Sequence, residues 1–398
     1  MIATIALFAL AARAQAGPVF RLNSRQEMGG HNHGGGAEAK SGGGMGMGGF
    51  DITNPTISNM ISNALYYGAI LMPKIPVNKT ETLKPQSSVP GAKRVRLYYG
   101  PMLLESAAYK LKIPNKIGLD PQGNTWYSQA ANFPTDISVL ASKINVADIN
   151  GKPLGVKDGV YNHHTVVADA QKAPNAFVAC PGKSAAGSVP VAILASAGEE
   201  GGQYKFTTDD PKFSGGYYLG KGDRVALFAE IVNYANTTRD VYTTLDMEYV
   251  EGKTQYEVSA EAISVTQCDG TSIGLKPAAG QMKFGAVSKE MTIQMDGVLF
   301  GSRGHLHDGG DYLKVIVNGK EICTSQPEYF GKAGDAKWDT IKEMTTCKDP
   351  IPVKKGDKLV IDAGYDLNKH PARSHLDGNT AEEMGVLNVQ FARLRDTK

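Results

Sequence analysis

The fold is decided by residues 222–235, whose sequence is GDRVALFAEIVNYA. Within this stretch Val225, Leu227, Ala229 and Ile231 occupy every second position. An apolar side chain at every second position is the pattern of a β-strand that buries one face, because successive side chains point to opposite sides. The stretch therefore predicts a strand, and the sequence that follows extends the same pattern.

Neighbouring runs of sequence predict further strands and the turns between them. Residues 241–249 continue the alternation, and a polar turn at residues 236–240 separates them from the first run. The two runs are predicted to pair as a hairpin. A second hairpin is predicted where residues 312–317 and 320–322 flank Asn318-Gly319, since Asn-Gly favours the tight turn of a two-residue hairpin.

Many short strands separated by turns rich in glycine and proline indicate sandwiches or barrels. The chain has 398 residues, which is too long for one compact core and favours two domains. We predict an all-β protein with two antiparallel β-sandwich (jelly-roll-like) domains, residues 51–255 and 256–398. One short helix is predicted at residues 54–68, where Asn54-Pro55 supplies an N-cap and a proline at the first helical position.

The N-terminal residues are typical of a secreted protein. Residues 1–16 contain an apolar run that ends in Ala14-Gln15-Ala16, the small-x-small pattern of a signal-peptide cleavage site. Residues 17–50 are Gly-rich and are predicted to form a disordered, flexible tail. The tail contains four side chains that are capable of binding copper, His31, His33, Met45 and Met47. The simpler interpretation is a spacer in which these side chains are incidental.

Charge, cysteine content and glycosylation motifs narrow the class of protein and its expected partners. Lys+Arg number 42 and Asp+Glu 40, with no basic run that carries aromatics, so nucleic acid is not an expected partner. The 4 cysteines indicate two disulfides in an oxidising, extracellular compartment. Asn78 and Asn236 begin Asn-x-Thr sequons and are the predicted glycosylation sites. No apolar run after the signal peptide is long enough to span a membrane.

Two pairs of histidines are the candidate metal ligands. His305 and His307 are two positions apart, so on a strand both imidazoles point to one face and toward one metal ion. The alternative is two surface histidines in a polar loop. His163 and His164 are adjacent, and neighbours on a regular strand point to opposite faces. This second pair would share a metal only at a strand end or a β-bulge; the alternative is one histidine inward and one outward.

The two pairs, one in each predicted domain, resemble the copper type II, ascorbate-dependent monooxygenase superfamily, which includes peptidylglycine α-hydroxylating monooxygenase. The resemblance implies two sandwiches with one copper ion in each. It places His305, His307 and Met384, at the end of the segment SHLDGNTAEEM, at the oxygen-reactive copper. It places His163 and His164 at the electron-transfer copper.

The electron-transfer site departs from the pattern at one position. Where the family has a third histidine, this chain has Asn233, whose amide is a harder and weaker copper ligand than imidazole. The resemblance therefore implies an incomplete electron-transfer site in this chain.

A closer resemblance, to the stress-up-regulated nodulin family, covers residues 161–347 and includes the His-His, His-x-His-x-Gly-Gly and paired-cysteine patterns. It implies a disulfide between Cys323 and Cys347. It leaves Cys180 and Cys268 as a candidate pair across the domain boundary.

These resemblances imply a copper protein that oxidises a C–H bond with dioxygen. It would use one or two copper ions and ascorbate or another reductant. Neither a catalytic residue nor a substrate, small molecule or peptide, is assigned. The alternatives are a non-catalytic extracellular copper-binding or storage protein, and a wall-associated or interaction protein whose histidines are relics. Zinc at His305 and His307 is an alternative to copper.

Overall fold

The computed structural model describes residues 71–115, 120–172, 177–182, 192–210, 213–269, 274–275, 277–332 and 339–394. Within them the chain is almost entirely β-structure, which confirms the predicted all-β class. The predicted signal peptide, the Gly-rich tail and the helix expected at residues 54–68 lie outside the described residues.

Strands β1–β13 lie in the first two thirds of the chain. Their bounds are β1 (Lys74–Ile75), β2 (Val77–Leu83), β3 (Lys93–Leu104), β4 (Gly123–Ala130), β5 (Ile137–Asp148), β6 (Val160–Asp169), β7 (Val178–Ala179), β8 (Ala192–Ala197), β9 (Gln203–Lys205), β10 (Gly215–Leu219), β11 (Val225–Asn233), β12 (Arg239–Glu251) and β13 (Tyr256–Ser264).

Strands β14–β25 follow. Their bounds are β14 (Gly274–Leu275), β15 (Lys283–Val287), β16 (Met291–Ile293), β17 (Gly297–Leu306), β18 (Gly310–Val317), β19 (Lys320–Ser325), β20 (Pro327–Lys332), β21 (Asp339–Met344), β22 (Thr346–Cys347), β23 (Ile351–Val353), β24 (Lys358–Asp366) and β25 (Glu383–Leu394).

A short helix that the sequence pattern did not predict, α1 (Ala107–Lys112), follows β3. Ser106 caps it, because its hydroxyl accepts a hydrogen bond from the Tyr109 N–H at 3.2 Å. One turn of 3-10 helix, Val156–Asp158, precedes β6. No helix in the part of the chain that the structure describes is long and apolar enough to cross a membrane.

The first sandwich has two facing sheets. One is the five-stranded sheet β1-β4-β11-β6-β8, and the other is the β2-β3-β12-β5-β10 half of a twelve-stranded sheet. Their inner faces meet in one hydrophobic core, to which Leu227 and Ile231 of β11, Tyr99 of β3 and Leu245 of β12 contribute. These are alternate positions of the strands, as the period of two in the sequence requires.

The second sandwich uses the rest of the same large sheet. The parallel pairing of β10 with β13 continues the sheet into β13-β25-β17-β22. The sheet β19-β18-β24-β16-β7 covers this half. The second core contains Leu299 and Phe391 from one sheet and Val315 and Leu359 from the other. Val258 of β13 packs in the first core and Ile263 in the second, so one strand serves both cores.

Both disulfide pairings implied by the sequence are present. Cys323 is bonded to Cys347 within the second sandwich, and Cys180 is bonded to Cys268 across 88 residues of sequence. Cys180 directly follows β7. This strand belongs to the first half of the chain but pairs with β16 of the second sandwich. Two disulfides are compatible with an extracellular protein.

One predicted hairpin is confirmed and the other is wrong. Asn318 and Gly319, with φ of 50° and 75°, form the turn between β18 and β19. In contrast, β11 does not pair with β12, since β11 lies between β4 and β6 in one sheet and β12 between β3 and β5 in the other. The residues between them cross the ~10 Å gap that separates facing sheets. Alternation indicates which face of a strand is buried, but not which sheet the strand joins.

A buried carboxyl in the second core gives a testable pH dependence. Glu261 of β13 lies opposite Val389 of β25, on the face that packs into the second core. Burial raises the pKa of the Glu261 carboxyl from 4.5 to about 8. A hydrogen bond from the Ser259 hydroxyl lowers this pKa, but by less than burial raises it. Between pH 5 and pH 8 the folded protein therefore keeps a proton that the unfolded chain has lost, and stability falls as pH rises.

We expect Glu261→Gln to remove this dependence. The neutral amide keeps the shape of the protonated carboxyl, so the variant should match wild type near pH 5. It should exceed wild type in unfolding free energy by up to about 4 kcal/mol at pH 8. Denaturant unfolding of both proteins between pH 5 and pH 9 measures the difference. Parallel pH profiles for the two proteins would contradict the assignment.

Candidate metal centre

The bulge that the adjacent histidines require is present in β6. In the pairing of β6 with β11, Glu230 lies opposite His164 and Ile231 opposite Asn162, which leaves His163 as the extra residue. A bulged residue escapes the strict alternation of faces. Ligand nitrogens of His163 and His164 consequently lie within 4.8 Å of each other and of a nitrogen of His307.

The second pair approaches from the other sandwich. His305 lies near the end of β17, opposite Val386 of β25, and His307 follows the strand directly. The same face of β25 contacts the first sandwich, since Asn388 accepts a hydrogen bond from the Tyr204 hydroxyl at 2.8 Å. The His-x-His pair therefore faces the five-stranded sheet that carries the His-His pair.

The four histidines form a single cluster between the sandwiches. The Nε2 atoms of His164 and His305 are 3.4 Å apart. The ring centroids of His163 and His307 are 5.6 Å apart, and those of His164 and His307 are 5.7 Å apart. The resemblance implied one site in each sandwich, whereas the structure brings both pairs to one place.

The ring nitrogens in this cluster suit a metal ion. Three of them are buried and have no hydrogen-bond partner among the described residues: Nε2 of His163, Nδ1 of His164 and Nε2 of His307. A buried polar atom without a partner is costly, and ligation would satisfy the Nε2 atoms of His163 and His307. His164 can give one ion either its Nδ1 or its Nε2, and its Nε2 is the atom that faces His305. Imidazole nitrogens bind a metal at about 2.0–2.1 Å, so nitrogens on one ion lie roughly 3 Å apart. The 3.4 Å separation of His164 and His305 fits this spacing.

Neighbouring groups determine which ring nitrogens face the cluster. The Nδ1 of His163 donates to Glu230 at 3.1 Å, and the Nδ1 of His305 donates to Glu200 at 2.7 Å. The Nδ1 of His307 donates to the backbone carbonyl of Glu382 at 2.5 Å. With the proton on Nδ1, each ring presents the lone pair of Nε2, as metal-binding histidines commonly do.

Burial keeps the imidazoles of His164 and His307 neutral. It lowers the pKa of His164 and of His307 well below the usual 6.5, and the neighbouring histidines lower both further. Neutral rings have a free lone pair, so metal binding at neutral pH need not displace a proton from them. The cluster is thus ready to ligate a soft or intermediate cation, and an all-imidazole donor set suits copper or zinc better than calcium or magnesium.

Two glutamates of the first sandwich were missed by sequence reasoning. Glu230 also accepts the backbone N–H of Asp120 at 3.0 Å. Burial raises the pKa of Glu200, but the contact with the His305 ring that hydrogen-bonds it and the charge of Arg303 outweigh burial, so the pKa is lowered overall. Glu230 was visible in the sequence as the one acidic residue of β11, whose other residues are apolar except Asn233. Glu200 had no comparable signal.

Met384 lies on the face of β25 that points toward the histidines. Leu387 and Phe391 of this strand face the second core, and Met384 alternates with them. It is buried, and its backbone N–H donates to the Tyr365 hydroxyl, which in turn donates to the Met384 carbonyl. The same hydroxyl accepts the N–H of His307, so Tyr365 ties the two segments together. Ligation by the Met384 thioether stays a prediction.

The structure does not bring Asn233 to the histidines. Asn233 shares the core-facing side of β11 with Leu227 and Ile231, whereas Glu230 points to the opposite side. Its amide donates to the carbonyl of Thr237 at 2.9 Å and accepts the N–H of Ala235 at 3.1 Å. Because faces alternate along a strand, a shift of one residue in alignment exchanges core and outer face. The ligand role expected for Asn233 stays a prediction.

A buried ion cluster joins the sandwiches beside the histidines. Asp120 of the first sandwich binds Arg373 at 2.8 Å and the Nδ1 of His375 at 3.2 Å. The Arg373 guanidinium lies 4.6 Å from the centre of the Tyr161 ring, and Tyr161 stacks on His163 with a centroid distance of 5.9 Å. The segment that leads to Met384 is thereby held against the first sandwich.

The two predicted glycosylation sites are accessible. Asn78 lies on β2, at the edge of the twelve-stranded sheet, and Asn236 lies in the loop after β11; both are exposed. Their glycosylation stays a prediction.

Comparison with known proteins agrees with a copper site. No family model matches the chain. The chain is 28% identical over 181 residues to "Probable copper-dependent oxygenase M1" of Phoma sp. (strain ATCC 20986 / MF5453). The aligned residues are 45% of this chain and 46% of the relative. It is 27% identical over 181 residues to "Probable copper-dependent oxygenase clz3" of Cochliobolus lunatus, 45% of this chain and 58% of that relative. The match thus spans about half the length of these curated relatives.

Similarity to solved structures is low. Peptide:N-glycanase F aligns with a TM-score of 0.34 and 10% identity over 76% of this chain and 96% of its own, which carries no argument about function. The sequence relatives, taken with the histidine cluster, support a copper-dependent oxygenase-like family for this chain.

Proposed function

We propose that the chain is a secreted copper protein that oxidises a C–H bond with dioxygen and a reductant such as ascorbate. His163, His164, His305 and His307 hold copper between the sandwiches. The observation that carries the proposal is the buried cluster of unpartnered imidazole nitrogens contributed by both sandwiches. The similarity to proteins named as copper-dependent oxygenases supports copper as the metal.

Each residue of the site has a separate task. Glu230 and Glu200 orient His163 and His305 through Nδ1. Burial between the sandwiches excludes water from the ring nitrogens. Met384 supplies a thioether, a soft ligand that favours Cu(I) and so favours reduction of the site.

Bound copper supplies the one-electron redox chemistry that oxygen activation requires. In the overall reaction one oxygen atom enters the C–H bond and the other leaves as water. The reductant provides two electrons, and two protons are taken up.

Replacement of Met384 tests this function. We expect Met384→Ile to keep the fold and the bound copper, because the change roughly conserves apolar volume. Its ascorbate-dependent oxygen consumption should fall at least about tenfold, since loss of a thioether disfavours Cu(I). X-ray absorption of the reduced wild type should show a sulfur scatterer that the variant lacks.

Met291→Ile is the matched control, because Met291 is fully buried in the second core on β16. Oxygen consumption by Met384→Ile equal to that of Met291→Ile would remove Met384 from the site. Oxygen consumption by the copper-loaded wild type no faster than by the zinc-loaded protein would reject the proposed oxygenase chemistry itself.

A second function, non-catalytic copper binding, is favoured by one observation. The side chain of His163 is fully buried and that of His305 is only 12% exposed. A catalytic site needs an open position for dioxygen and substrate, whereas a storage site does not. Tight copper binding without reductant-dependent oxygen consumption would support this function over the first.

A further inference from the structure

The loop between β8 and β9 reaches across the interface to the second sandwich. Its sequence, residues 198–202, is Gly-Glu-Glu-Gly-Gly. Glu200 is buried, and its Oε1 accepts the hydrogen bond from Nδ1 of His305 at 2.7 Å. Two residues later, Gly202 lies against the guanidinium of Arg303. Arg303 and His305 are both on β17, so one loop of the first sandwich contacts two side chains of one strand in the second.

The shape of the loop depends on its glycines. A Cβ on Gly198 would lie 2.4 Å from Oε2 of Glu200, and the Gly198 N–H donates to Oε1 of Glu200 at 3.3 Å. Gly202 has φ of 133°, and a Cβ there would lie 1.5 Å from the Arg303 Nη1. The loop therefore folds back on the Glu200 carboxylate and leaves no space between itself and β17.

The contact with Glu200 determines how His305 presents itself to the cluster. Since Nδ1 of His305 donates to Glu200, the lone pair of Nε2 faces His164, 3.4 Å away. Glu199 has a different role, because its carboxylate accepts the backbone N–H groups of Val156 and Asn162 within the first sandwich. Of the two adjacent glutamates, Glu200 is the one that bonds a histidine of the cluster.

We propose that Glu200 is a positioning residue for the copper site. Through the loop at residues 198–202, the half of the site that lies in the second sandwich depends on docking of the first sandwich. This inference rests on the proposed copper function. The first sandwich would then contribute to the site twice, through its own histidines and through the orientation of His305.

The test compares Glu200→Ala, Glu200→Gln and Glu199→Gln in the full chain, with Cu(II) as the probe. Loss of the acceptor in Glu200→Ala should lower copper affinity about 10–100-fold, the usual cost of losing a partner that orients a metal ligand. Paramagnetic resonance should show one histidine nitrogen fewer. Glu200→Gln keeps an oxygen acceptor and should recover most of the affinity, and Glu199→Gln should stay within about threefold of wild type.

A second pair of variants probes docking without altering a polar group. Gly202→Ala would strike Arg303, whereas Gly201→Ala meets nothing within 4 Å, and both glycines have positive φ. We expect only Gly202→Ala to weaken copper binding. Affinity and resonance spectra of Glu200→Ala like those of wild type, or equal affinities for the two glycine variants, would overturn the inference while leaving the copper function intact. A wild type that binds no Cu(II) would overturn both.

Discussion

Replacement of His307 by alanine is expected to abolish copper binding by the whole chain, and not merely to empty one of two sites. The reason is that ligand nitrogens of His307 and of His163 and His164, from the other sandwich, lie within 4.8 Å of one another. The loss of affinity should exceed the roughly 100-fold that removal of an orienting partner costs. His164→Ala, in the first sandwich, should give the same result.

Copper titration with chelator competition measures this effect. His370→Ala is the matched control, because His370 also belongs to the second sandwich but bonds Asp339 at 3.1 Å and stacks on Tyr329. It should bind copper like wild type. If His307→Ala retained one copper ion at wild-type affinity, the two histidine pairs would be separate sites and the shared cluster would be wrong.

Asp120→Ala should be the most destabilising of the proposed substitutions. Asp120 is fully buried, and its carboxylate is the ionic partner of Arg373, which is 3% exposed. Removing one member of a buried ion pair leaves an uncompensated charge, which typically costs about 3–5 kcal/mol. Because Asp120 and Arg373 belong to different sandwiches, the loss should also weaken docking and, with it, copper binding.

The effect of Asp120→Ala should depend on pH in a defined direction. Burial raises the pKa of Asp120, but the hydrogen bond from His375 and the charge of Arg373 outweigh it and hold the pKa below its usual 3.8. The stabilisation is therefore complete above pH 4 and is lost as pH falls further. Denaturant unfolding at pH 7 and pH 3 should show the difference between wild type and variant shrinking at the lower pH.

Asp209→Ala is the control for Asp120→Ala, because the Asp209 side chain is 94% exposed and its ion pair with Lys205, at 3.9 Å, lies at the surface. Its effect should be within about 0.5 kcal/mol. A loss below about 1 kcal/mol for Asp120→Ala at pH 7 would show that the buried ion pair does not hold the sandwiches together.

Fold class was predictable because it depends on a local property. The period of two in residues 222–235 needs no partner to be recognised, and it placed Leu227 and Ile231 in a core. The pairing of β11 was not predictable, since its partners β4 and β6 lie far away in sequence and the alternation fits a hairpin equally well. The turn at Asn318 and Gly319 was predictable because the backbone conformation itself requires those residue types.

The candidate site, like the fold, was predictable only in part. The two histidine pairs were identified from spacing, and the bulge at His163 was foreseen as a condition for the first pair. The sequence did not predict that the two histidine pairs form one cluster. His164 and His305 are 141 residues apart and meet only when the sandwiches dock. The ligand role of Asn233 was carried over by alignment with a family, and it stays a prediction, because a shift of one position along a strand changes the face on which a side chain lies.

The central claim is that copper lies between the sandwiches and is bound by histidines of both. Anomalous scattering at the copper edge, from crystals of the copper-loaded protein, tests this most directly. The structure predicts a copper peak in contact with imidazole nitrogens from both the His163-His164 pair and the His305-x-His307 pair. Two separate peaks, each in contact with one pair alone, or the absence of a copper peak at these histidines, would contradict it.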